Sequence, residues 1–202
     1  MSDLFNIISQ ALGDDARGSM GKELGVDSNM LAQIIPAATA LMTGAMAKRA
    51  ANADGAKSLD GALARDHDGS ILGLVGEDMV KASSGGVGEG ILKHILGGAR
   101  GEVEQAVGRE TGLDSGKIGK LLVMLAPVIL GALGNAKQKQ NLAPQDLANV
   151  LEGGRRGAEA EAPSGFGGFL GRMLDADGDG SAGDDVARIG MQILGNVMSS
   201  RR

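Results

Sequence analysis

Gly21 to Met46 reads GKELGVDSNMLAQIIPAATALMTGAM, and Gly108 to Leu133 reads GRETGLDSGKIGKLLVMLAPVILGAL. Laid over each other without a gap, at an offset of 87 residues (108 less 21), the two stretches match at the positions that set local conformation. Gly21, Glu23, Gly25, Asp27, Ser28, Gly44 and Ala45 meet Gly108, Glu110, Gly112, Asp114, Ser115, Gly131 and Ala132, and most other positions exchange one aliphatic residue for another. Two copies of one helical unit are expected. In each copy a short helix stops at a glycine (Gly25, Gly112), an aliphatic residue follows (Val26, Leu113), and Asp-Ser opens a long helix. Glycine supplies the left-handed C-terminal position, while Asp27 or Ser28 and Asp114 or Ser115 can accept from the first free backbone N–H groups.

Working outward, Leu31, Ile34, Ile35, Leu41 and Met42 in the first long segment, and Ile118, Leu121, Leu122, Leu125, Val128, Ile129 and Leu133 in the second, recur at helical spacings. Pro36 and Pro127 should kink or divide their helices, since each removes a donor and crowds the preceding turn. Lys48-Arg49 and Lys137 with Lys139 close these segments with charge that complements the helix dipole. Asp3 to Leu12 is amphipathic; Ser70 to about Lys81, Ile91 to Leu96 and Glu102 to Arg109 are further short helices, with SSGGVGEG (Ser83 to Gly90) as a flexible separator. Pro144, Asp146 and Gly153 bracket another helix through Leu147, Val150 and Leu151. No run alternates with period two, so strands are not expected. The fold class is all-α. Its domains are a duplicated helical body over 1–152, a small-residue polar linker over 153–165, and a helix-loop-helix tail over 166–202.

Composition narrows the chemistry. Among 202 residues there are 35 glycines, about 17% against a usual ~7%, with no Trp, Tyr or Cys and only two histidines. The core must be aliphatic. Disulfides, thiolate metal sites, cysteine nucleophiles and multi-histidine centres are excluded. His67 and His94 stand alone in sequence without a partner for a dyad, so each reads as structural and no catalytic residue is expected. No GxxxxGK[ST] occurs, and no organic cofactor site is expected. The net charge of −5 with scattered basic residues argues against nucleic-acid partners. The N-terminus lacks a basic n-region and a cleavage site, making the cytoplasm the default location. The apolar runs Ile34 to Ala47 and Leu121 to Gly134 fall short of the ~20 residues that span a bilayer, so no integral membrane segment is expected.

One motif carries ion chemistry. In DADGDGSAGDD, Asp175, Asp177 and Asp179 occupy positions one, three and five of an EF-hand-like loop, Gly180 the tight turn and Ser181 the carbonyl position. Position twelve is Val186, so Asp184 or Asp185 must close the shell around Ca2+. Mg2+ suits it less, because it demands a tighter octahedron. The alternative to Ca2+ binding is an Asp-Gly-rich solvated turn in which Asp184 and Asp185 cap the last helix, a role compatible with metal binding. A weaker echo, ARDHDGSILG with Asp66, Asp68, Gly69 and Ser70, lacks a third aspartate and reads as a capping turn before Ile71.

The run GEGILKHILGG from Gly88, then VEQAVGRETGLDSGKIGKLLVMLAPVILGALG and LAPQDLANVLEG, resembles the bacterial domain-of-unknown-function 937 family, also called YidB-like. The resemblance covers about Ser2 to Gly153. Its DHDGSILG turn matches one common in the family, although Gly73 and Leu74 replace the acidic pair that often follows. Many members also end in an aspartate-rich loop similar to the one here. The resemblance implies an all-helical fold and supplies no activity, substrate or catalytic residue.

The expected function is therefore a non-enzymatic interaction or scaffolding protein. It would self-associate into a homo-oligomer or filament through its repeated helices and bind Ca2+ in its tail. The alternative is a small-molecule binder, or an enzyme using carboxylates such as Asp66 and Asp68, with an aliphatic pocket between the repeats. Reversible membrane association through Phe166 to Met173 is the weakest reading, since that segment carries little positive charge.

Overall fold

The computed structural model describes residues 4–74, 76–83 and 86–163, all within one compact unit, Met1–Phe166. The tail with Asp175, Asp177, Asp179, Ser181, Asp184 and Asp185 lies outside the described residues. Among the described residues there are α-helices, 3-10 turns and no strand. In chain order the helices are α1 (Leu4–Ala11), α2 (Asp14–Leu24), α3 (Ser28–Ala50), α4 (Ala53–Asp66), α5 (Gly76–Ser83), α6 (Gly86–Leu96), α7 (Arg100–Thr111), α8 (Ser115–Gln140) and α9 (Leu147–Glu161). Short 3-10 turns lie at Ser70–Gly73, Gly97–Ala99 and Pro144–Asp146.

The two short-to-long helix junctions have one construction. Gly25 (φ 60°) and Gly112 (φ 73°) end α2 and α7 in the left-handed conformation, where a Cβ is disfavoured. Asp27 then accepts from Asn29 N at 2.8 Å and Asp114 from Lys117 N at 2.9 Å, caps that each contribute about 1 kcal/mol. A Cβ built on Gly21 would stand 2.7 Å from the Val26 carbonyl oxygen, and one on Gly108 would stand 2.7 Å from that of Leu113. The matched glycines thus do matched work, letting the chain fold back over the last turn of each short helix.

α8 lies at the centre, with every residue from Leu121 to Gly134 buried. α3 is the second core helix, and α9 runs against it, Gly154 and Ala158 being buried opposite a helix rich in Ala37, Ala38, Ala40 and Gly44. Small residues on facing helices let the axes approach. The core is aliphatic as composition requires, with Phe5 the one aromatic among its described members.

Neither proline divides its helix: α3 passes through Pro36 and α8 through Pro127. Proline leaves the carbonyl four residues earlier without its donor. For Pro36 that residue is Ala32, which is exposed. For Pro127 it is Val123, which is buried, and its carbonyl is met by the backbone of Gly88 on α6. A Cβ on Gly88 would fall 2.9 Å from Val123 Cγ1, 2.6 Å from the Ser83 carbonyl, and nearer still to the Val123 carbonyl oxygen. Only a residue without a Cβ fits beside the carbonyl that Pro127 leaves without its helical donor. This corrects the expectation of a flexible separator over Ser83 to Gly90, because Gly86 to Gly90 form the first turns of α6.

Two further expectations are corrected. The helix begun at Leu147 does not end at Gly153 but continues through the first nine residues of the expected 153–165 linker to Glu161. Gly154 is buried against Leu4 of α1, and Arg155 bonds both Glu152 and Glu159 along the helix, so packing and i,i+3 and i,i+4 pairs outweigh the low propensity of two glycines. α3 and α8, at 23 and 26 residues, are long and apolar enough to cross a bilayer, so shortness of the apolar runs does not decide the matter. Burial speaks for a core role: 72% and 89% of their apolar windows are enclosed by the rest of the body.

Candidate functional site

α3 ends at Ala50, and the chain reverses within two residues into α4. Asn52 makes the reversal possible by accepting from Gly55 N at 2.7 Å, and Gly55 fits there because a Cβ would collide with the Arg49 carbonyl. The reversal leaves one face of α4 looking across at α6. On α4 that face carries Asp54, Gly55, Ser58, Leu59, Ala62 and Arg65, at helical spacing. On α6 it carries Gly90, Ile91, His94 and Ile95. Between the two helices, floored by Met46 of α3 and Leu130 of α8, is a cavity of about 550 Å³. That size is in the range that holds a small organic ligand.

The cavity is apolar below and charged above. Met46, Ile91, Ile95 and Leu130 are buried; Arg49, Arg65 and His94 are exposed at the rim and His67 is half-buried. The guanidinium of Arg49 reaches from the end of α3 to the turn after α6, where a Cβ on Gly97 would stand 3.5 Å from its Nη2. Gly97 has φ 55°, so the turn brings bare backbone to that point. Two ion pairs secure the walls. Lys137 Nζ lies 2.6 Å from Asp60 Oδ1 and ties α8 to α4, while Arg100 bonds both Glu89 of α6 and Glu104 of α7. The Arg100 hydrogen bond holds the Glu89 carboxyl below the usual carboxylate range.

The structure thus gathers two histidines that stand far apart in sequence. His67 follows α4, His94 lies on α6, and both line the cavity. Each α4 and α6 stripe is visible as a helical spacing, but their convergence depends on α6 beginning at Gly86 and on the Asn52 reversal.

The DHDG turn docks on α8. Asp68 Oδ1 accepts from Ser70 N at 2.9 Å, which lowers its pKa, and the Asp68 carbonyl accepts from Gln138 Nε2 at 3.1 Å. Gly69 (φ 96°) seats the turn on α8, and a Cβ there would stand 3.0 Å from Asn135 Cβ. Gly131 and Gly134 provide the hollow that receives Ile71 and the His67 carbonyl. Asp68 is a capping residue of a docked turn and does not line the cavity; the Asp66 side chain lies outside the described residues. Among the described residues, no group of three His, Asp or Glu side chains is placed to hold a metal ion.

Fold and cavity together give an all-helical protein with a ligand-sized cleft over an apolar floor. Over residues 6–138, which include every residue that lines the cavity, the sequence matches the family described as "Bacterial protein of unknown function (DUF937)", and the chain belongs to that family. Neither the comparison with curated proteins nor that with solved structures returns a match.

Proposed function

We propose that the chain is a non-enzymatic helical binding protein whose body takes a small, largely apolar molecule into the cavity between α4 and α6. The observation that supports this is the apolar floor of Met46, Ile91, Ile95 and Leu130 beneath a polar, solvent-exposed rim, the composition of a ligand cleft. The chain has no Trp or Tyr, so a neutral fluorophore such as N-phenylnaphthylamine can be titrated without protein background. Saturable enhancement in the wild type and its loss in Ala62→Trp, which fills the cavity from α4, are expected. Equal enhancement in both proteins would place the fluorophore elsewhere and overturn the reading.

A second reading concerns the tail and is favoured by the spacing of DADGDGSAGDD. In it Asp175, Asp177 and Asp179, with Ser181 and Asp184 or Asp185, bind Ca2+, and the tail governs self-association into a homo-oligomer or filament. Burial of most of α3 and all of the α8 core leaves little apolar surface on the repeated helices for such a contact, Met30 at the start of α3 being the exposed large hydrophobic there among the described residues. The matched junctions at Gly25 and Gly112 support descent of both long helices from one duplicated unit. Calorimetry is expected to give a calcium signal that Asp177→Ala removes, and light scattering a calcium-dependent size. No heat from the wild type at millimolar Ca2+ would end the calcium reading, and a strictly monomeric protein with and without Ca2+ would end self-association.

A further inference from the structure

The cavity rim differs in charge from the rest of the molecule. The chain carries a net −5, yet the cavity is lined by Arg49 and Arg65 against a single carboxylate, Asp54, with His67 and His94 beside them. Among the described residues no carboxylate is paired with Arg49, whose guanidinium lies beside the Gly97 turn at the rim. A guanidinium without a partner at the mouth of an apolar space is a waiting half of a charge-assisted hydrogen bond, and its planar fork fits a carboxylate or phosphate. The first turn of α4, capped by Asn52 and lying in the same wall, adds the positive end of a helix dipole.

We infer that the cavity takes a small amphipathic anion, with its apolar tail on Met46, Ile91, Ile95 and Leu130 and its oxyanion head on Arg49. This rests on the cavity being a ligand site, and adds the chemical class of the ligand. His94, exposed on the same wall, offers the head a further ring N–H donor. Polar groups at the rim fix which way the ligand lies, and the apolar floor supplies the bulk of the contact.

Calorimetric titration of the full chain with octanol, octanoate and octyl phosphate separates the two levels. The three share one tail and differ in head. Either anion should bind more tightly than octanol, and the tighter of the two names the head. Arg49→Gln should weaken the anion by about tenfold, the loss of one charge-assisted hydrogen bond, and weaken octanol much less, the retained octanol binding also reporting that the variant is folded. His94→Gln should cost less than Arg49→Gln. Equal affinity for octanol and both anions, or no effect of Arg49→Gln on the anions, would overturn the inference while leaving the cavity as an apolar site. Failure of all three ligands to bind at millimolar concentration would overturn the site itself.

Discussion

Replacing Gly88 with alanine sets two effects of opposite sign against each other. In a helix interior alanine is favoured over glycine by about 1 kcal/mol. At Gly88, however, the new Cβ would enter space already held by the Ser83 carbonyl at 2.6 Å, Val123 Cγ1 at 2.9 Å and, closer than either, the Val123 carbonyl oxygen. Two of these are backbone atoms, which cannot swing aside as a side chain could. α6 would have to withdraw from α8, uncovering the carbonyl that Pro127 leaves without a donor. Overpacking of this kind costs about 1–3 kcal/mol, and a buried carbonyl left unsatisfied adds about 1–3 kcal/mol. The net expectation for Gly88→Ala is destabilisation of about 1–5 kcal/mol. Gly90, two residues along the same helix, has nothing within 4 Å of a built Cβ, so Gly90→Ala should stabilise by up to about 1 kcal/mol. Urea unfolding of both variants checks the pair, with midpoints moving in opposite directions. Equal or same-direction shifts would refute the contact between Gly88 and the Val123 carbonyl.

Leu121, only 1% exposed on α8, should tolerate aspartate far worse than the exposed Lys139 tolerates alanine. Thermal melts should show Leu121→Asp unfolded or lowered by about 4 kcal/mol or more and Lys139→Ala nearly unchanged, because the former buries an unpaired charge. Glu152 is held below its usual pKa by its hydrogen bond with Arg155, and a carboxyl depressed on folding stabilises above its unfolded pKa and loses that contribution as pH falls through the lower native value. Thermal melts between about pH 5 and pH 3 should therefore fall more steeply for the wild type than for Glu152→Gln, with parallel slopes counting against the pair.

What could be read from the sequence was whatever is written locally. Gly25 and Gly112 stop their helices, and Asp27 and Asp114 start the next, because both signals act within one turn of chain. The start of α6 was hidden, since Gly86 to Gly90 have poor helix propensity, yet they form its first turns where Gly88 packs against Val123 of α8, a place no residue with a Cβ fits. The end of α9 was hidden for the same kind of reason: Gly153-Gly154 has the form of a stop, but Leu4, from the opposite end of the chain, packs against Gly154. The cavity draws its walls from α3, α4, α6 and α8, so no short stretch of sequence contains it, and His67 and His94 stand isolated in sequence. The carboxylates of DHDG stood out by spacing, yet the described one, Asp68, is engaged in its own turn.

The claim that the space between α4 and α6 is a binding site is tested most directly by methyl NMR of the full chain during titration with octanol. The account predicts saturable shifts at Met46, Ile91, Ile95 and Leu130, with the methyls of Leu4 and Leu151 on the far side of α3 and α9 unmoved. Shifts spread across the core, or concentrated at Leu4 and Leu151 with the cavity methyls still, would contradict it.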